Sequence, residues 1–334
     1  MNATWRRTFL KQAAALTAVA TSPVLARDSA DLEPIRIALV GTGGRGCDLL
    51  RALTTIDGAQ LVGVCDDYAP HLENGRKYAG DVPGFTRFEE MLAKTKPQAV
   101  IVATPLSWHA PMCMLALDAG CDVFCEKTMC HSVEQARQVT QRVAEKSAVF
   151  QVGLQRRANA IYKQALSFVQ TGMLGQITAI KAQWHRHNNW RRPVPVAKTN
   201  PDWAALEQRL NWRLCWKYSQ GLMAELASHQ LDIANWLLDA RPQRVVGSAG
   251  IDYWRDGREV WDNLFCIYDY QVTPRPAKSG VDANTHSDGK PYTVRVTYSS
   301  IQNNQYEGAS ELILGTRGTL FLSQKKGLFY REAG

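Results

Sequence analysis

Cysteine is scarce, at 8 in 334 residues, which is too few for a disulfide-scaffold protein. No segment after the first 26 residues is long and apolar enough to span a bilayer. No repeat recurs at a fixed period, and the cysteine spacings match no zinc pattern. Excess charge of one sign is limited too. The 39 Lys+Arg stand against 31 Asp+Glu, a formal +8, and Arg6, Arg7 and Lys11 lie in an acid-free leader whose removal lowers this to +5. That surplus is weak evidence for a nucleic-acid partner. What is present is a 45% apolar chain with mixed charges, which excludes a disordered or collagen-like protein. Its length suits two domains better than one, and such a chain buries roughly three quarters of its unfolded surface without a disulfide or metal staple.

The N-terminus reads as an address. Trp5-Arg6-Arg7-Thr8-Phe9-Leu10-Lys11 precedes a weakly apolar run, Ala13–Ala20, and then Val24-Leu25-Ala26. A basic start, a short apolar region and a small-residue cleavage pattern make a signal peptide over 1–26, and the paired arginines resemble the twin-arginine export signal. The competing reading, a membrane anchor, needs ~20 apolar residues, and Gln12–Ala26 is shorter. The expectation is a periplasmic or otherwise exported protein without stable membrane insertion. Its cysteines are expected as buried free thiols, formed before export in a reducing compartment.

Residues 34–154 read as a dinucleotide-binding unit. The strand Pro34–Val40 runs into Gly41-Thr42-Gly43-Gly44-Arg45-Gly46, a G-x-G-x-x-G turn, and a helix starts at Cys47. Gly41 permits the tight turn, Gly43 lets backbone approach a pyrophosphate, and Gly46 allows close helix–strand packing. A second strand, Gln60–Cys65, ends in Asp66-Asp67, with Asp66 20 residues beyond Gly46. An acid there accepts ribose hydroxyls and repels a 2′-phosphate, and no arginine directly follows the strand, so NAD is favoured over NADP. The plainer reading of Asp66 is a solvated turn residue, with Asp67 as a substitute. Further strands at Gln98–Ala103, Cys121–Cys125 and Val149–Leu154 alternate with helices at Phe88–Ala93, His109–Ala119 and Ser132–Lys146. This pattern gives a doubly wound parallel sheet, with ligands at its strand C-termini, where Thr104-Pro105 and Glu126-Lys127 also fall.

Residues 155–334 read as an α+β unit. A helix is expected at Ile161–Gln170. Strands are expected at Thr178–His187, Val245–Tyr253, Asn263–Tyr270, Tyr292–Tyr298, Leu312–Leu314 and Thr319–Ser323, with a loop over Thr273–Lys290. Seven of the ten tryptophans fall between Trp184 and Trp254. Indoles either fill cores or stack on the C–H faces of sugars, and Trp190 is the candidate for the second role because it sits in the polar run His185–Arg192. That run, with His187 and Arg191, could also follow a nucleic-acid backbone, but a single short cluster fits an anionic or polyhydroxylated substrate better. His185 and His187 share a strand face, yet no third ligand follows from spacing, so no metal is assigned. Glu225, His229 and Asp232, at i, i+4 and i+7, form a polar stripe on one helix face. It reads either as a solvated face or as a site.

Several of these pieces together resemble the glucose–fructose oxidoreductase/inositol dehydrogenase (Gfo/Idh/MocA) family: the Gly41–Gly46 turn, Ala103-Thr104-Pro105…His109, Ala119-Gly120…Cys125-Glu126-Lys127, Gly153-Leu154-Gln155-Arg156-Arg157 and Gly221…Glu225…His229…Asp232. The resemblance implies a Rossmann doubly wound parallel sheet followed by an α+β domain with a large open, mainly antiparallel sheet. It implies a homo-oligomer acting on a carbohydrate with NAD, NADP being second. Cofactor contacts then go to Gly41, Gly43, Gly44, Gly46, Asp66, Thr104, Pro105, His109, Glu126 and Gln155. Substrate contacts go to Arg157 and Asp232, beside His187, Trp190 and Arg191 from the polar run. Lys127, His229 and Glu225 become the catalytic set. His229 would be a base with a pKa near ~6.5, Lys127 would stabilise an alkoxide or relay its proton, and Glu225 would orient His229 or bind a hydroxyl. The chain departs from the family in three ways. Thr128 stands where Glu-Lys-Pro is common, Glu225 replaces an aspartate, and the end at Gly334 reads as a C-terminal truncation. The implied activity is oxidation or reduction of a secondary alcohol of a sugar or polyol, and the expected export, to where free nicotinamide nucleotide is scarce, adds the expectation of a tightly held cofactor. The alternatives are a glycosidase or lyase that cycles NAD internally, or a non-catalytic sugar-binding relative.

Overall fold

The structure is a computed structural model, and residues 33–274 and 289–332 are described. The expected signal segment and most of the Thr273–Lys290 loop lie outside the described residues.

The first sheet has six strands: β1 (Ile35–Val40), β2 (Ala59–Cys65), β3 (Gly84–Phe85), β4 (Ala99–Val102), β5 (Asp122–Glu126) and β6 (Phe150–Gly153). They are parallel throughout, in the order β3-β2-β1-β4-β5-β6. That order reverses direction beside β1, and the crevice there is where a doubly wound sheet binds ligands. Five helices cover the faces: α1 (Gly44–Leu53), α2 (Ala69–Ala79), α3 (Phe88–Thr95), α4 (Leu106–Asp118) and α5 (Val133–Lys146). The central strands are buried because both faces carry helices, and Ala38, Leu39, Val100, Val102 and Cys125 are nearly or fully inaccessible. Helix α5 starts on a capping box, in which Ser132 accepts from the Gln135 N–H and the Gln135 side chain returns to the Ser132 N–H.

After α6 (Ala160–Gln170), the second sheet comprises β7 (Ile177–His187), β8 (Pro242–Gly250), β9 (Asn263–Val272), β10 (Tyr292–Ile301), β11 (Asn303–Gly315), β12 (Gly318–Ser323) and β13 (Gly327–Arg331). Their order is β13-β12-β11-β7-β10-β9-β8, and every pair is antiparallel except β7 with β10. One face packs on α6 and on α8 (Ser228–Leu238), with Tyr162, Ile180, Leu222, Ile233, Tyr270, Val296 and Tyr298 in its core. The opposite face leaves Val246, Phe265 and Ile267 exposed. All eight cysteines are free thiols and six of them are buried, as read from their apolar surroundings.

The structure departs from the sequence reading in several places. Strand β8 runs from Pro242 to Gly250 rather than Val245–Tyr253, because Asp262 captures the N–H groups of Asp252, Tyr253 and Trp254 and turns the chain. Helix α7 (Trp203–Leu210) and strand β13 were not anticipated. The helix buries none of its residues fully, so its sequence carries little apolar pattern, and β13 pairs only with β12. The Glu225–Asp232 segment is not one regular helix. Met223–Ala227 forms a π-helical turn that leads into α8, so the i, i+4, i+7 stripe is broken at Glu225.

Candidate active site

A cavity of about 1120 Å³ opens between the C-terminal ends of the first sheet and the inward face of β7, α7 and the π turn. Single-ligand pockets span roughly 300–1,000 Å³, so this space admits a dinucleotide together with a second, smaller molecule.

The glycine turn forms its floor. Gly41 has φ +92°, and a Cβ on it would lie 2.6 Å from the Ala103 carbonyl carbon, while one on Gly46 would overlap the Gly41 carbonyl oxygen. These two positions require glycine for packing. Gly43 differs: a Cβ there meets nothing nearer than His71 at 3.8 Å, so the turn is open on its cavity side. Gly43 caps α1 without any side-chain acceptor, and the first N–H groups of α1 suit an anion. Asp66 is not a solvated turn residue. Its carboxylate accepts from the backbone N–H of Thr42 at 2.8 Å and of Tyr68 at 2.9 Å, which fixes it at the end of β2 beside the cavity. Asp67, the substitute, is paired instead with Arg209 of α7 at 2.6 Å. Thr104 and Pro105 line the cavity at the end of β4, and the Thr104 hydroxyl is buried with no hydrogen-bond partner among the described residues. An open cradle at Gly43, a positioned acid and an orphaned hydroxyl fit a dinucleotide.

His109 and Glu126 also border this space, but both are engaged by the protein. The His109 ring nitrogens lie 2.8 and 2.9 Å from the carbonyls of Thr128 and Thr104, and burial lowers its pKa against those carbonyls. The imidazole therefore ties the end of β4 to the segment after β5. Glu126 accepts from Arg45 of the glycine helix at 2.8 Å. Gln155, at the start of the 3-10 turn Gln155–Ala158, reaches the cavity as expected from the sequence.

Lys127, Glu225 and His229 meet on the opposite side. The Lys127 ammonium donates to the Glu225 carbonyl at 3.0 Å and lies 3.9 Å from its carboxylate. The Thr128 hydroxyl donates to the Ala224 carbonyl at 2.7 Å, and the Lys127–Thr128 peptide is cis. The π turn thus presents two carbonyls that the β5 segment uses as anchors. Burial would raise the Glu225 carboxyl, but the Arg213 guanidinium at 3.0 Å and the Lys127 ammonium outweigh it and hold the group below its ordinary value. Burial likewise lowers Lys127, with Glu225 opposing. Glu225 therefore serves Lys127 and Arg213, and the expected orientation of His229 by Glu225 is corrected: no bond joins them among the described residues, and Nδ1 of His229 is buried without a partner. The His229 imidazole stacks on Trp184 at 5.2 Å between ring centroids. Burial, then the charges of Lys127, Arg156 and Arg45, push its pKa down to about 3, not the near-neutral value expected from the sequence.

Three expected substrate contacts are corrected. Arg157 and Asp232 form a bidentate ion pair with each other, at 2.7 to 3.1 Å, away from the cavity lining. Asp232 is displaced by the π turn from the face that carries Glu225. His187 points from the other face of β7, where it is exposed near Trp254. Trp190 and Arg191 do line the cavity. Trp190 has φ +62°, an uncommon conformation for a bulky residue, held by Asx-type bonds in which Asn188 and Asn189 accept from the N–H groups of Trp190 and Arg191. Arg191 is committed to Glu207 and Asp256.

The sequence reading singles out neither Trp184 nor Arg213, and it includes Arg186 and Arg192 only as members of the His185–Arg192 run, without naming either as a contact. Trp184 and Arg186 were signalled by the alternation Ile180, Ala182, Trp184, which one further step extends to Arg186. Arg213 lies in a short 3-10 turn, Trp212–Leu214, with no periodic signal. Beneath Trp184, Arg156 sits 5.4 Å from the ring centroid and forms a buried cluster with Glu311 and Tyr162.

Comparison with known proteins agrees with this geometry. Residues 35–154 match the profile of an oxidoreductase family with an NAD-binding Rossmann fold, and residues 162–321 match the GFO/IDH/MocA C-terminal domain. The chain is 27% identical over 218 residues to a scyllo-inositol 2-dehydrogenase (NAD(+)) of Bacillus subtilis, covering 65% of this chain and 58% of that one. It is 24% identical over 221 residues to a 2,7-anhydro-N-acetylneuraminate hydratase of Mediterraneibacter gnavus, covering 66% and 53%. The chain thus spans just over half the length of these two relatives. The WlbA dehydrogenase of Bordetella pertussis, solved with NADH and UDP-GlcNAcA, has the same fold, with a TM-score of 0.68 at 21% identity over 90% of this chain and 84% of that one.

Proposed function

Because the chain belongs to the Gfo/Idh/MocA oxidoreductase family, we propose that it moves a hydride between NAD and the carbinol carbon of a sugar or polyol. The observation that carries this reading is the cavity shared by the open glycine turn and the Lys127–Glu225–His229 group. NAD is preferred to NADP because the Asp66 carboxylate, fixed at the end of β2, would repel a 2′-phosphate.

A bound nicotinamide supplies the hydride acceptor. The glycine turn, Asp66 and the Thr104 hydroxyl would hold the dinucleotide. Lys127, in the neutral amine form that burial favours, would take the hydroxyl proton as the carbonyl forms, and as the ammonium would return it in the reverse direction. Glu225 stays ionised between Arg213 and Lys127 and holds the amine in place through both its carboxylate and its backbone carbonyl. His229 stays neutral near pH 7 and offers a hydrogen bond to the reacting oxygen, supported by Trp184. Reduced-nicotinamide absorbance with a panel of inositols, hexoses and hexuronates tests this. Lys127→Met should lower kcat at least ~10³-fold with NAD affinity unchanged. A variant that retains turnover would remove Lys127 from the reaction.

A second reading, in which NAD is reduced and reoxidised within each cycle, draws support from the hydratase relative. Product formed without net NADH accumulation would select it. The Arg6-Arg7 leader further suggests twin-arginine export with the cofactor carried inside the folded protein. Protein recovered from the periplasm should release NAD on acid denaturation, and cofactor-free protein with weak NAD affinity would contradict this. The exposed Val246, Phe265 and Ile267 on the open sheet suit a second copy of the chain, which sedimentation would detect.

A further inference from the structure

The cavity wall built by the second sheet carries a guanidinium that forms no ion pair with any acid among the described residues, its nearest carboxylate influence being Glu225. Arg186 lies on the inward face of β7, two residues after Trp184, and its Cζ sits 5.3 Å from the Trp184 ring centroid and 5.6 Å from that of Trp190. Its Nε is buried without a hydrogen-bond partner, and its side chain makes no hydrogen bond or ion pair among the described residues. Four neighbouring cations are matched, Arg45 by Glu126, Arg213 by Glu225, Arg209 by Asp67, and Arg191 by Glu207 and Asp256, while Arg192, at the glycine-turn end, shares with Arg186 the lack of an ion-pair partner among the described residues. Even Glu225 is shared, since Lys127 draws on the same carboxylate.

A half-buried cation without a direct ion-pair partner is unfavourable unless something that binds there supplies one. The cofactor diphosphate is one source of negative charge, and position separates it from the charge that Arg186 awaits. Arg192 reaches to 4.0 Å from where a Cβ on Gly44 would stand, at the diphosphate end of the cavity. Arg186 instead adjoins Trp184, whose ring stacks on His229, at the reacting end. The two indoles hold the guanidinium in place at the cavity wall, and a guanidinium presents a planar fork to a carboxylate or phosphate.

We propose that the substrate of this site is an acidic carbohydrate, a sugar or polyol bearing a carboxylate or phosphate ester, whose anionic group binds Arg186 between Trp184 and Trp190. This rests on the oxidoreductase reading above and adds the chemical class of what is oxidised or reduced. The neutral part of the molecule then lies toward His229 and Lys127, and the acid fixes which hydroxyl faces them.

The test is isothermal titration of the NAD-saturated protein with matched pairs: D-glucuronate and D-glucose, D-galacturonate and D-galactose, D-gluconate and D-glucitol, and glucose 6-phosphate and glucose. At least one acid should bind ~10-fold or more tightly than its neutral partner, a difference set by a charge-assisted pair. The pair that shows it distinguishes carboxylate from phosphate. Arg186→Met keeps the packing between the indoles and should abolish that preference while NAD affinity stays within about 2-fold. Arg186→Lys, which retains charge without the fork, should restore part of it. Equal or weaker binding of the acid in every pair, or a preference that survives Arg186→Met, overturns the proposal. A wild-type protein that fails to bind NAD overturns the oxidoreductase reading and this proposal with it. One that binds NAD but favours neutral sugars overturns this proposal alone.

Discussion

Acidification should destabilise the protein through His229, and replacing that one residue should remove the effect. The imidazole is 4% exposed and stacked on Trp184, with Lys127, Arg156 and Arg45 as the charges that oppose its protonation. In the unfolded chain it takes a proton below about pH 6.5, whereas the folded protein refuses it until about 3. Between these values the unfolded state binds more protons, so stability falls as pH falls and is fully present only above the unfolded pKa. From about pH 8 to pH 5 the loss amounts to ~1.5 pH units of linkage, or about 2 kcal/mol, and the slope approaches ~1.4 kcal/mol per pH unit. His229→Gln keeps a polar side chain of similar reach and cannot titrate. Urea denaturation of both proteins at several pH values in this range measures the difference. The other histidines and carboxylates titrate equally in the two proteins, so the wild-type curve should drop about 2 kcal/mol further than that of the variant. Parallel curves would refute the reasoning, because they would mean that folding does not withdraw His229 from water as the Trp184 stack implies.

Two further predictions come from the packing. Gly43→Ala places a methyl group in the open side of the turn and should weaken NAD at least ~10-fold with little change in melting temperature, while Gly46→Ala, forced against the Gly41 carbonyl, should unfold the protein at markedly lower denaturant; nucleotide titration and urea unfolding of the pair read both effects. Glu311→Gln leaves Arg156 buried without its charge partner and should cost roughly 3–5 kcal/mol of stability, measurable by chemical denaturation.

Much of the first half was legible because its signals are local. The G-x-G-x-x-G turn, the acid 20 residues on and the apolar strand runs each depend on a few adjacent residues, and a parallel sheet buried on both faces shows in the sequence as continuous hydrophobicity. The site was legible only in part. Lys127, Glu225, His229 and Trp190 were found, and all four line one cavity. Arg157, Asp232 and His187 were placed there by family position or by their neighbours in sequence, and the structure sends them elsewhere. The strict helical spacing that joined Asp232 to Glu225 fails because the π turn at Met223–Ala227 changes the register, and no residue type announces such a turn.

By itself, the chain's order of residues determined which strands are buried, where a diphosphate can approach the backbone, and which ionisable groups are available for proton transfer. Only the tertiary structure decided how those groups are charged and whom they serve. Glu225 binds Lys127 and Arg213 rather than His229, His229 is held neutral by burial, and Arg186 forms no ion pair among the described residues. Spacing along a chain sets which face a side chain occupies. The charge it carries depends on the water removed and the partners brought near by segments ~100 residues away, and these exist only once the two sheets close on each other.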